Sequence, residues 1–164
     1  MKIDSGRVRT AIVVCVLVAA QLLLRPHLGD PRYAPDFVLV ALLVFAIRVR
    51  PMAGTIAGFL VGLVTDAVTP TAFGAAAFAL TIIGYAAGWL KAVVFADNVL
   101  VTGLFVFGAA WLRDVIQVLV SRQLVGGALA WQLLAQSPLA ALTTAATAVV
   151  TLLVFRGWLR QRGA

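Results

Sequence analysis

The sequence predicts an all-α integral membrane protein of six transmembrane helices with both termini cytoplasmic, and three observations predict it. Of 164 residues, 63% are hydrophobic and 12% charged, with mean hydropathy +1.06. A soluble domain of this size cannot hide so much apolar surface, whereas a lipid-embedded one has no need to. The apolar residues fall into six runs separated by short polar connections. The formal charge of +7 sits between and beyond those runs, the pattern of membrane topology rather than of nucleic-acid binding.

The spans are expected at about 8–24, 36–49, 52–68, 72–90, 98–120 and 137–155, within one transmembrane domain covering 1–164. In lipid every backbone polar group must be paired internally, so each span is a helix. The first follows the basic start MKIDSGRVRT and is read as a retained span, not a cleaved leader. Pro26, Pro31 and Pro35 break the connection after it, and Asp36 is placed to cap the second span. That span is short unless Arg48 and Arg50 snorkel to the interface. Pro51 opens the third span at a position where its missing N–H costs little, and Thr69-Pro70 ends it. Lys91 closes the fourth span, Asp97-Asn98 caps the fifth and Gly126-Gly127 breaks the chain after it. Residues 128–136, ALAWQLLAQ, suit either an interfacial helix or an extension of the sixth span.

Orientation follows from lysine and arginine placement. With the N-terminus inside, Lys2, Arg7, Arg9, Arg48, Arg50, Lys91, Arg156, Arg160 and Arg162 face the cytoplasm, and Arg25, Arg32 and Arg122 lie outside, nine against three. Trp89 and Trp158 then fall near the inner interface.

Three ionisable residues lie well within the spans: Asp66, Arg113 and Asp114. An isolated charge at mid-membrane costs at least about 2.5–3.5 kcal/mol, so such groups pair. Asp66 lies fifteen residues past Pro51, and Arg113 fifteen past Asn98, each roughly 22 Å along its helix. The matched depth predicts an Asp66–Arg113 ion pair. Asp114 points about 100° away, toward a headgroup or a partner.

Gly54, Gly58 and Gly62 recur at spacing four on one face of the third span. They make a groove that a second helix can approach closely, either a partner's or one of this chain's own, and Asp66 continues the stripe. Gly84 and Gly88 form a second small pair in the fourth span.

Nothing in the sequence points to catalysis, a cofactor or a metal. There is no glutamate, one histidine (His27) and one cysteine (Cys15), so no cysteine- or histidine-rich metal site and no intramolecular disulfide can form. No nucleophile–base set or phosphate loop is present. Gln21, Gln117, Thr81 and Tyr85 suit a pocket lining, but helix packing accounts for them equally well.

The stretch from Pro35 to Leu90 resembles the rod shape-determining MreD family. The parts are Pro35 before the second span, then Gly58-Phe59, Gly62-Leu63 and Asp66 in the third, then Gly74, Ala77, Gly84-Tyr85 and Gly88. The resemblance implies a non-enzymatic inner-membrane scaffold of the bacterial elongation machinery. Its implied partner is MreC, and through it come MreB, the RodA glycosyltransferase and its penicillin-binding transpeptidase. Membrane lipids surround it, no nucleic acid is bound, and homo-oligomerisation is left open. The family also resembles in fold the substrate-binding subunits of energy-coupling-factor vitamin transporters, which supplies an alternative reading. Ala11, Cys15 and Ala19, at spacing four on the first span, suit the partner contact of such a subunit.

Overall fold

A computed structural model describes residues 5–23, 34–68, 72–94, 99–121 and 131–160. His27, Pro26, Pro31, Thr69-Pro70, Asp97-Asn98, Gly126-Gly127 and residues 128–130 lie outside them. So do the side chains of Lys91 and of most terminal arginines. Among the described residues there are six α-helices and no strand: α1 (Ser5–Leu23), α2 (Phe37–Ala46), α3 (Pro51–Val68), α4 (Ala75–Val94), α5 (Val99–Ser121) and α6 (Ser137–Arg160). One wide π turn, Gln132–Gln136, runs into α6 without a break. Trp131–Gln136 therefore extend the last helix, and Trp111 on α5 donates its indole N–H to the Leu133 carbonyl at 3.2 Å.

Length separates the helices into two groups. Pro51–Val68, Leu100–Val120 and Gln132–Val154 are long and apolar enough to cross a membrane, whereas the apolar stretches Val8–Gln21, Phe37–Ala46 and Ala75–Leu90 are shorter. The second span, expected over 36–49, is the largest departure: α2 has ten residues, about 15 Å of helix against a hydrocarbon thickness of about 30 Å. It is not a lipid-facing element. Phe37, Leu39, Val40, Ala41, Leu42, Leu43, Val44 and Ala46 are all buried, and α1, α3, α4 and α6 surround it. The core of the bundle is thus a half-length helix, apolar all round because it meets protein all round.

The outer faces of the other helices carry exposed large apolar residues, including Met52, Phe59, Val64, Phe78, Trp89, Leu104, Leu134 and Val150. Their threonines spend their hydroxyls locally: Thr55, Thr81, Thr147 and Thr151 each donate to the carbonyl four residues back, at 2.6–2.8 Å. A hydroxyl satisfied by its own helix adds no unpaired polar group to an apolar surrounding.

Candidate functional site

Two helix starts inside the bundle engage its two buried aspartates, Asp36 and Asp66. Each poses the same problem, because the first N–H groups of a helix have no intrahelical acceptor. In water the solvent answers it. In an apolar bundle the protein must, since an unsatisfied group costs several kcal/mol in hydrocarbon.

At α4 the residue before the helix is Gly74, with φ +93°, a left-handed conformation that glycine adopts without strain. Its carbonyl accepts from Phe78 N–H at 3.0 Å, so it occupies the capping position but has no side chain to cap with. The missing acceptor comes from α3. Asp66, 1% exposed, accepts from Ala76 N–H through Oδ1 at 3.0 Å and from Ala77 N–H through Oδ2 at 2.8 Å. These are the second and third amides of the helix, the pair that a capping side chain ordinarily serves. The carboxylate also sits against the positive end of the helix dipole.

What lets Asp66 reach is the glycine row. The α3 and α4 backbones run antiparallel in near contact. A Cβ on Gly54 would lie 2.6 Å from the Gly84 carbonyl oxygen, and one on Gly88 would lie 2.7 Å from Pro51 Cα. A Cβ on Gly58 would overlap the Leu80 carbonyl, and one on Gly62 the backbone of Ala76-Ala77. One turn beyond Gly62, at the same register, Asp66 meets Ala76 and Ala77. The five glycines and the aspartate are one device, closed within the chain.

At α2 the cap is local. Asp36 has extended backbone, and its Oδ1 accepts from Val38 and Leu39 N–H, both at 3.1 Å. Its own N–H donates to Thr144 Oγ1 on α6 at 3.1 Å, and the next amide, Phe37 N–H, donates to Gln21 Oε1 on α1 at 3.0 Å. Val40 N–H closes the first turn on the Asp36 carbonyl at 3.2 Å. Every amide from residue 36 to 40 therefore has an acceptor. The second carboxylate oxygen, Oδ2, forms an ion pair with Arg113 Nη1 on α5. Side chains from α1, α5 and α6 thus converge on the first turn of α2.

This geometry corrects the expected ion pair and decides which helix takes the glycine groove. The Asp66–Arg113 pair does not form: Arg113 pairs with Asp36, and both oxygens of Asp66 are taken by α4 amides. Matching depth along two helices did not give the neighbour, because α4 lies between α3 and α5. The glycine groove of α3 is also not open to a partner helix, since α4 fills it. Asp114 is half-buried and engages in an interaction of its own within the chain, and Tyr85 is exposed. Nothing in the sequence marks Thr144 as a site residue. Its hydroxyl donates to the Ala140 carbonyl at 2.9 Å, as other threonines here do, and only the position of α2 gives it a second role.

Chemically the arrangement satisfies and neutralises. Among the described residues no group of three or more His, Cys, Asp or Glu is placed to hold a metal. Six apolar helices, three of them of membrane-spanning length, with buried acids spent on helix starts, fit a helical membrane protein whose polar core is structural. The model of the rod shape-determining protein MreD matches residues 5–161, and the chain belongs to that family, whose role is in rod shape determination. Comparison with curated proteins and with solved structures finds no match in either.

Proposed function

We propose that the protein is a non-enzymatic, multi-pass scaffold of the bacterial inner membrane. It binds the span and juxtamembrane region of MreC and helps couple MreB to the peptidoglycan synthases, the RodA glycosyltransferase and its transpeptidase. The observation that carries this reading is the family match across residues 5–161. The spending of Asp36, Asp66 and Arg113 on helix starts and an internal pair agrees with it, since a scaffold needs no reactive group. The excess of lysine and arginine on one side of the connections supports an orientation with both termini inside. With the glycine face of α3 consumed by α4, the MreC helix meets an outer face of the bundle.

The test is affinity purification of the tagged protein from detergent-solubilised membranes, with identification of what co-purifies. MreC is the expected companion, and depletion of the protein is expected to turn rods into spheres. Recovery of a transporter coupling subunit with its ATPases, or of a bound vitamin, contradicts the reading.

A further inference from the structure

The α3–α4 seam is closely packed and the α4–α5 seam is open, and Asp36 ties across the open side. Where α3 meets α4, backbone lies against backbone along the glycine row. Where α4 meets α5, an apolar groove of about 300 Å³ remains, lined by Ile82 and Ala86 on one wall and Leu104, Gly108 and Leu112 on the other. Gly108 shows how open this seam is: a Cβ there would meet nothing within 4 Å. Gly103, five residues earlier on another face of α5, would meet only Val149 of α6, at 3.5 Å. The α5–α6 hairpin is well packed within itself and closed at one end by the Trp111–Leu133 hydrogen bond.

Asp36 holds both helices of that hairpin. Its carboxylate pairs with Arg113 of α5, and its N–H donates to Thr144 of α6. Both ties are polar and sit in an apolar bundle. They are directional and are lost over a small separation, unlike the dispersed contacts of a packed seam. Packed interfaces of this kind hold discrete arrangements rather than deforming continuously.

We propose that α5–α6 is a movable hairpin, latched to the α1–α4 body at Asp36 and able to part from it along the α4–α5 groove. Releasing the Asp36–Arg113 pair lets the hairpin swing as a unit, while the α3–α4 pair, fixed by its glycines, does not change. Because the latch residue also caps α2, the start of the central helix reports directly on whether the hairpin is docked.

Spin-label distance measurements on the full chain in lipid nanodiscs test this, with Cys15 replaced by alanine. One label pair at Met52 and Val150 reads α3 against α6, and a second at Met52 and Phe78 reads α3 against α4; all three positions are exposed. Asp36→Asn keeps a capping oxygen and removes the charge, and Arg113→Gln removes it from the other side. In both variants the Met52–Val150 distribution is expected to gain a longer population while Met52–Phe78 keeps the wild-type one. Adding Gly108→Leu to Asp36→Asn, which fills the groove, is expected to shrink the longer population. Wild-type distributions in both variants overturn the proposal. So does broadening of both pairs together, which makes the ion pair a pin for the whole bundle. A longer population that Gly108→Leu leaves untouched overturns it as well, because the parting then lies elsewhere.

Discussion

The α3–α4 and α4–α5 seams are built from similar small and apolar residues, yet one is closed and the other open. In the first, five glycines fall where the two backbones cross, and the nearest atom facing each is backbone. In the second, Gly108 faces a groove, and among the described residues no atom lies within 4 Å of where its Cβ would be. Glycine content alone therefore does not make a tight helix pair. What matters is register: at α3–α4 the glycines of each helix face the other's backbone, and the seam ends on Asp66, which satisfies the amides of the helix it adjoins.

The comparison breaks most readily at Gly58. A leucine there overlaps the Leu80 carbonyl, a backbone atom that cannot rotate away. Overpacking costs typically about 1–3 kcal/mol and sometimes more. Gly58→Leu is expected at or beyond the top of that range, with thermal unfolding in detergent showing a marked loss of midpoint or no folded protein. Next comes Asp66→Ala, which leaves two buried amides without acceptors and should cost about 2 kcal/mol by cap and buried-donor magnitudes. Asp66→Asn keeps one acceptor and should lose about half as much, a ranking that denaturant titration in mixed micelles reads. The smallest effect is expected at Gly108→Leu, within about 1 kcal/mol of wild type in the same titration, because the added side chain enters empty space and glycine is a poor helix former. A large loss at Gly108 would mean that the second seam is closed too.

The residues differ in how far the sequence alone could place them. Helix positions were readable from apolar runs of the right length, and Pro35-Asp36 before an apolar run is a helix start in any setting. The α3 glycines were readable as a close-approach face, because spacing four keeps them together on one side. Which helix occupies that face was not, since a repeat of small residues does not name its partner, and here it is α4 of the same chain. Depth matching paired Asp66 with Arg113 by distance along their helices, but neighbour identity depends on the order of helices around the bundle, which linear spacing does not encode. The ten-residue length of α2 likewise escaped: Ile47, Val49 and the arginines beside them read as the end of a span, whereas Arg48 and Val49 already donate to Phe45 and Ala46 carbonyls in a turn. Gln21 and Thr144 acquire their partners only because that short helix starts inside the bundle.

The central claim is that Arg113 belongs to Asp36, and that Asp66 belongs to the α4 amides. Paired double-mutant cycles test it most directly, with unfolding free energies measured for Asp36→Asn, Asp66→Asn and Arg113→Gln singly and for each aspartate variant combined with Arg113→Gln. The account predicts a coupling of about 1–3 kcal/mol between positions 36 and 113, from the range seen for contacting groups, and within about 0.5 kcal/mol of zero between 66 and 113. Coupling of Arg113 to Asp66 rather than to Asp36 would contradict it.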